Sequence, residues 1–184
     1  MWRHLVWITT LLSTAIPFDA SANAKDAPRI TMDTVVNGTP QSIWALWTTP
    51  EGLQRFLARS ARVGTEVGSE FSIDLGAGYL VELSGASPTQ IRAWDPPRTL
   101  AFDWIVPLPG GGTRDPKTVV TVQIEPADNG KCRVRLEHSG WTEADAGGRE
   151  LEYSKQYWKV VLQKLRKAAT ASGLPQPSEV AGGK

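Results

Sequence analysis

Few side chains in this sequence are suited to catalytic chemistry. The chain has two histidines and one cysteine, and one of the histidines, His4, lies in an apolar N-terminal stretch. His138 is therefore the only imidazole in the rest of the chain, and Tyr157 is the other candidate proton carrier. A zinc site built from imidazole and thiolate ligands is not expected, and we expect neither a metal nor a cofactor.

His138 ends a segment that alternates like a β-strand. One face would carry Cys132, Val134, Leu136 and His138, and the other Arg133, Arg135 and Glu137. This pattern predicts an apolar inner face and a solvated outer face. A histidine on the apolar face either hydrogen-bonds a neighbour within the core or contacts a ligand, and both roles remain open. Cys132 is expected to be a small buried core residue rather than a reactive thiol.

Carboxylates offer no evident acid–base pair. Glu82, Asp103 and Glu137 alternate away from the apolar faces of their predicted strands, so we expect all three to be solvated. The chain also lacks a phosphate-binding loop, a dinucleotide-binding fingerprint and a Gly-x-Ser-x-Gly motif. These observations favour a binding module over an enzyme.

The element with the clearest pattern is a long helix predicted from Gly148 to Ser172. Its apolar and small residues recur at steps of three and four: Leu151, Ser154, Trp158, Val161, Leu162, Leu165 and Ala169. Charged and amide side chains fill the rest of the circumference, and Gly173 and Pro175 stop the helix. Because a helix cannot bury such a stripe alone, a sheet must receive it.

The segments before this helix predict strands and two short helices. The first strand spans 29–36, and short helices open at Pro40, capped by Thr39, and at Pro50, continuing to about Ala58. Further strands are predicted at 61–67, 69–75, 78–84, 89–94, 99–106, 117–125 and 131–139, with a flexible loop at 107–116. The fold class is α+β: an antiparallel sheet of about six to eight strands wrapped around the long C-terminal helix.

A family resemblance is carried by PQSIWALWTTPEGLQRFL, by WDPPRTLAFDW, by the pair TVVTVQIEP and RVRLEHSGW, and by YWKVVLQKL. In this order and spacing they make residues 30–168 resemble the SRPBCC superfamily, which has a START-like helix-grip fold. Within it, the chain is most similar to the branch named after the activator of the heat-shock chaperone ATPase. Members commonly have Trp in the second short helix, where this chain has Phe56.

The resemblance implies a cavity between the concave face of the sheet and the terminal helix, often used to hold an apolar small molecule. The residues expected to line it are Trp47, Phe56, Tyr79, Phe102, Trp104, Leu136, His138 and Trp158. Trp104 on the sheet and Trp158 on the helix are expected to face a common apolar space. Three functions remain open: a carrier of an apolar or aromatic molecule, a cyclase- or hydrolase-type enzyme using His138 or Tyr157, and a co-chaperone-like interaction domain.

The first 24 residues have the pattern of a secretory signal peptide. Arg3 and His4 precede an apolar run from Leu5 to Ile16, shorter than the roughly 20 residues of a membrane span. Ala22-Asn23-Ala24 is a small-x-small cleavage pattern. We expect cleavage after Ala24, a periplasmic or secreted location, and no stable membrane insertion after cleavage.

Chain length and net charge limit the domain organisation and the classes of partner that we expect. The 184 residues suit one domain, at 29–172, with a lead-in at 25–28 and a flexible tail at 173–184. The net charge is +1, with both signs interspersed. Since this chain lacks the basic stripe that binds phosphate backbones, we expect no nucleic-acid partner. The expected partner is a small apolar molecule, and the oligomeric state is left open.

Overall fold

The computed structural model describes residues 27–75, 89–106 and 117–170. Their elements, in order, are β1 (Ile30–Asn37), α1 (Pro40–Thr48), α2 (Pro50–Gln54), β2 (Ser60–Val63), β3 (Phe71–Asp74), β4 (Ile91–Asp95), β5 (Thr99–Trp104), β6 (Thr118–Ala127), β7 (Lys131–Ser139), a 3-10 turn (Glu143–Asp145) and α3 (Arg149–Thr170). The predicted α+β order is confirmed. The predicted signal peptide, the strand at 78–84, the loop at 107–116 and the tail at 173–184 lie outside the described residues.

The strands form two antiparallel sheets. One has five strands in the order β1-β7-β6-β5-β4, and the other pairs β2 with β3. An isolated bridge between Glu70 and Gln90 joins the two sheets next to β4. Within β4, a bulge between Ile91 and Ala93 interrupts regular pairing with β5. The described ranges therefore contain seven strands, in two bridged sheets rather than one continuous sheet.

Alternation along β6 and β7 gives the five-stranded sheet one apolar face. In the strand register, His138 lies between Ile30 of β1 and Val120 of β6. All three side chains are buried, whereas Arg133 and Arg135 of β7 are exposed on the opposite face. The predicted division into an apolar inner face and a solvated outer face is confirmed for β7.

Helix α3 buries the predicted stripe. All seven residues of the stripe are buried, and Ala168 joins them. Trp158, at the middle of the helix, is completely buried. Glu150 and Glu152 lie in the first turn and Lys167 in the last, where their charges complement the helix dipole. The stripe rests against the sheet, with β1 alongside.

Two threonines set the ends of the short helices. Thr39 caps α1 as predicted, because its hydroxyl oxygen accepts a hydrogen bond from Ser42 N–H at 3.2 Å. Thr49 serves both helices: its hydroxyl donates to the carbonyl of Ala45 in α1 at 2.8 Å and accepts from Gly52 N–H in α2 at 3.0 Å. One residue therefore ends α1 and begins α2.

The second short helix is shorter than predicted. It ends at Gln54 instead of continuing to Ala58. The carbonyl of Leu53 accepts backbone hydrogen bonds from Phe56, Leu57 and Ala58. These bonds close the chain into a turn, so Phe56 follows the helix rather than lying within it.

Candidate ligand site

A buried chain of hydrogen bonds connects α3 to the inner face of the sheet. Trp158 Nε1–H donates to His138 Nδ1 at 3.0 Å, and His138 Nε2 lies 2.7 Å from Thr118 Oγ1. The Thr118 hydroxyl donates to the backbone carbonyl of Trp104 at 3.0 Å. Because an indole nitrogen can only donate, His138 Nδ1 is the acceptor of the bond from Trp158. The ring proton is therefore on Nε2, and Nε2–H donates a hydrogen bond to the Thr118 hydroxyl oxygen. Both ring nitrogens of His138 are thus engaged.

Two tryptophan rings enclose His138, and a third packs behind them. The ring centroid of Trp141 lies 4.8 Å from that of His138, and the centroid of Trp158 lies 6.0 Å from it. Trp104 and Trp158 are 4.7 Å apart with their planes tilted by 52°. Rings at this separation are in direct contact. A ligand would therefore lie beside the Trp104–Trp158 pair and not between its rings.

Gly140 brings Trp141 back against His138. The chain turns at Gly140 with φ of +88°, and a Cβ built there would lie 3.2 Å from the Cα of Thr118. Only glycine adopts this conformation and close approach without strain. The residue after β7 therefore packs over the first residue of β6.

An aromatic row crosses the core from α3 towards β3, consisting of Tyr157, Trp104, Phe102 and Phe71. Tyr157 is half-buried and its ring centroid is 5.7 Å from that of Trp104. Phe102 follows at 6.3 Å from Trp104, and Phe71 stacks on Phe102 at 4.0 Å. The last three residues of the row are buried. The row thus extends from a partly exposed tyrosine into the interior.

Trp47 and Phe56 form a second aromatic group where the short helices cross. Their ring centroids are 4.9 Å apart, with an edge-to-face angle of 75°. The crossing depends on Gly52, because a Cβ there would lie 2.4 Å from the carbonyl oxygen of Ala45 and 2.6 Å from the Cα of Leu46. Trp47 is completely buried, and its Nε1 has no hydrogen-bond acceptor within the described ranges.

The predicted site residues that the structure describes lie in two places within one continuous apolar core: where α3 meets the sheet, and where the short helices cross. Phe102, Trp104, Leu136, His138 and Trp158 lie where α3 meets the sheet, whereas Trp47 and Phe56 lie at the helix crossing. Tyr79 lies outside the described residues. Sequence reasoning missed Thr118, Trp141 and Phe71. Thr118 carried a usable signal, since it is a hydroxyl at the inward position two residues before Val120.

Asp103 is buried, so the prediction that it is solvated was wrong. Only 4% of its surface is exposed. Its carboxylate accepts hydrogen bonds from Arg92 Nε and Nη2 at 2.6 and 2.9 Å, and from Gln90 N–H at 3.2 Å. Alternation correctly predicted that Asp103 points away from the inner face, but a bidentate arginine covers it. The pKa of Arg92 is raised by this hydrogen bonding and by the negative charge.

Cys132 is a buried thiol, as predicted. Its Sγ–H donates to the carbonyl of Gly38 at 3.2 Å, and burial raises the pKa of the thiol above its ordinary value.

Within 27–75, 89–106 and 117–170, no group of three or more histidine, cysteine or carboxylate residues could hold a metal ion. No helix in these same ranges is both long and apolar enough to cross a membrane.

Comparison with protein families gives one match. Residues 37–170 fit the model of the family described as activator of Hsp90 ATPase homolog 1-like protein. This span covers more than half of the chain. Comparison with curated proteins gives no match.

Solved structures with the same fold come from several bacteria. A protein from Mesorhizobium loti is 21% identical with a TM-score of 0.61, and the match covers 80% of this chain and all of that one. The AHSA1-like protein from Aeromonas hydrophila is 17% identical with a TM-score of 0.58, covering 80% and 96%. The Aha1 dimer from Colwellia psychrerythraea is 18% identical with a TM-score of 0.56, covering 79% and 99%. At these identities the likeness shows the fold alone.

Proposed function

The chain belongs to the family of activator of Hsp90 ATPase homolog 1-like proteins, and from this premise we propose that it binds a small apolar or aromatic molecule between its sheet and its helices. The observation that carries the proposal is the aromatic row, which extends from half-buried Tyr157 to Phe71 in the core. Small-molecule sites combine large apolar and aromatic surfaces with a few polar groups. This core has that composition.

The space that we assign to the ligand lies beside the row, towards the helix crossing. The opposite end of the core is filled by direct contacts among His138, Trp141, Trp158 and Trp104. At the other end the stacked pair Phe71–Phe102 comes from the strands and the contacting pair Trp47–Phe56 from the helix crossing, and we assign the ligand to the region between these two pairs. Aromatic side chains present a large contact area with few rotatable bonds, so they lose little entropy when a ligand packs on them.

An enzyme using His138 is less well supported than a carrier. A general acid or base must exchange its proton with a bound substrate at hydrogen-bond distance. Both ring nitrogens of His138 are engaged inside the fold, with Trp158 and Thr118. Proton exchange with a substrate would first have to break one of these buried bonds. The same network explains the histidine as a structural group.

We further propose that the protein acts outside the cytoplasm, from the signal-peptide pattern of residues 1–24. Export would separate it from a cytosolic chaperone and its ATP. Activation of that chaperone's ATPase, which the family's description names, is therefore not the function that we propose for this chain.

Binding of 2-ethylnaphthalene, a flat hydrocarbon, tests the carrier proposal. We expect saturable binding by calorimetry with about one site per chain. Leu136→Trp should abolish binding. Leu136 is completely buried and is linked by strand pairing, through Val122 and Leu100, to Trp94, which contacts Trp44 of α1, so the new indole would add bulk on the short-helix side of His138. The added bulk should cost about 1 to 3 kcal/mol of folding stability.

Arg135→Trp is the matched control, since Arg135 is exposed on the outer face of the same strand. It should leave binding unchanged. A folded Leu136→Trp variant that binds the hydrocarbon as well as the unsubstituted protein would contradict the proposed site. Absence of saturable binding by the unsubstituted protein, both of this hydrocarbon and of a ketone of the same shape, would contradict the proposed function.

A further inference from the structure

The indole N–H of Trp47 is a buried donor that the described fold leaves without an acceptor. Trp47 lies in α1 and its side chain is completely buried. Its Nε1 has no hydrogen-bond partner within 27–75, 89–106 and 117–170. By contrast, the equally buried indole of Trp158 donates to His138 at 3.0 Å. An unsatisfied buried donor is costly, and native proteins seldom retain one unless water or a ligand satisfies it.

The surroundings of Trp47 restrict what could satisfy this donor. Trp47 belongs to the same apolar core as the aromatic row and contacts the ring of Phe56. The buried polar or charged residues of the described ranges are Asp103, Thr118, His138 and Ser154. None of them is a lysine or arginine. A carboxylate on a ligand would need a buried cation or several donors, so a neutral acceptor fits this environment better.

We propose that Trp47 Nε1–H donates to a neutral carbonyl oxygen of the bound molecule. The ligand class is then an uncharged aromatic or alicyclic ketone, ester, lactone or quinone, with its apolar body against the aromatic row. This inference rests on the proposed function, because it assigns the polar contact of that same site. Trp47 is the specificity-determining residue, and it selects a carbonyl compound over a hydrocarbon of the same shape.

Two probes of nearly equal shape test this inference: 2-acetylnaphthalene, which carries a carbonyl oxygen, and 2-ethylnaphthalene, which carries none. In the ¹⁵N-labelled protein, Trp47→Phe assigns the Trp47 indole resonance by its disappearance. We expect both probes to shift that resonance through the ring current of the naphthalene, and 2-acetylnaphthalene to shift it further downfield than 2-ethylnaphthalene does, because only the ketone forms the new hydrogen bond. The indole resonance of Trp158 should show no such difference between the two probes, since its bond to His138 is already made.

Affinities give a second readout. The preference for the ketone over the hydrocarbon should fall about tenfold in Trp47→Phe, as expected for the loss of one buried hydrogen bond. Trp44→Phe is the matched control, because Trp44 lies in the same helix, is also buried, and packs edge-on against Trp94 at 5.0 Å. It should keep the preference.

The outcomes separate this inference from the proposed function. If both probes bind equally and shift the Trp47 resonance alike, the donor is satisfied by water and the inference is wrong, while the carrier function stands. If neither probe binds, the proposed function fails and the inference fails with it. The resonance shift is measured in the unsubstituted protein, and if Trp47→Phe does not fold, nuclear Overhauser effects to the ring of Phe56, which Trp47 contacts, assign the resonance instead.

Discussion

Trp158 and His138 are joined by a buried hydrogen bond of 3.0 Å between the indole nitrogen and the imidazole Nδ1. This bond fixes the middle of α3 against the end of β7. A rotation of the helix by one residue would move the indole away by about 100° and leave both groups unpaired. The bond therefore specifies how the helix sits on the sheet, which apolar packing alone specifies less sharply.

Truncating Trp158 should be among the most destabilising substitutions in α3. We expect Trp158→Ala to cost about 3 to 5 kcal/mol, because it removes a completely buried aromatic ring from the middle of the stripe. The exposed neighbour Lys159 provides the control, and Lys159→Ala should stay within about 0.5 kcal/mol. Urea denaturation of both variants measures the difference. Equal costs would show that the helix faces the sheet differently.

The Thr118 hydroxyl should contribute to stability because its oxygen accepts a hydrogen bond from His138 Nε2–H. Thr118→Val keeps the shape of the side chain but leaves Nε2–H without this acceptor, so we expect a loss of about 1 to 3 kcal/mol. Thr121→Val, on the outer face of the same strand, should change stability by no more than about 0.5 kcal/mol. Thermal unfolding distinguishes the two. A neutral Thr118→Val would mean that the network adds nothing to stability.

Gly52→Ala should destabilise the protein although alanine is the better helix former by about 1 kcal/mol. The new Cβ would lie 2.4 Å from a backbone oxygen of α1, and backbone cannot move aside as a side chain can. We expect a net loss of about 1 to 3 kcal/mol. Gln54→Ala, an exposed change in the same helix, should be nearly neutral in the same urea titration. A stabilised Gly52→Ala would show that α1 and α2 do not cross this closely.

Asp95 should titrate below its ordinary pKa of 3.8, because Arg98 donates two hydrogen bonds to its carboxylate at 2.9 and 3.0 Å. A carboxyl group whose pKa is lowered by folding stabilises the fold above its unfolded pKa, and this contribution is lost as the pH falls through the folded pKa. NMR titration of the Asp95 carboxyl carbon measures the value directly. In Arg98→Gln the pKa should rise towards 3.8, and no rise would mean that the pair does not form in solution.

Processing at the N-terminus should depend on the small residue before the predicted cut. Ala24→Leu should block cleavage, because signal peptidases accept only small side chains there. N-terminal sequencing of the exported protein should give Lys25 for the unsubstituted chain. An intact Met1 on a cytoplasmic form would contradict export and restore the co-chaperone hypothesis.

Periodicity alone predicted much of the fold. The stripe of α3 and the two faces of β7 follow directly from local pattern, since neither depends on a distant part of the chain. The end of α2 was harder to predict, because Phe56 and Leu57 extend the helical pattern while the bonds to Leu53 close it.

The candidate site was less predictable, because its geometry depends on pairs that are distant in sequence. Trp104 and Trp158 were correctly placed on facing elements, but their 4.7 Å contact follows from the register of α3 against the sheet. Likewise, alternation gave the direction of Asp103, whereas its burial depends on Arg92 in the neighbouring strand. The sequence pattern of one strand or helix cannot show which residue of another element covers a given side chain.

The Thr49 hydroxyl couples the two short helices, so that they should unfold locally together. Its hydroxyl is bonded to Ala45 in α1 and to Gly52 in α2, so fraying at the end of one helix releases the start of the other. Their local unfolding is therefore coupled. An apolar molecule that enters beside Trp47, as we propose, would therefore have to displace both short helices together.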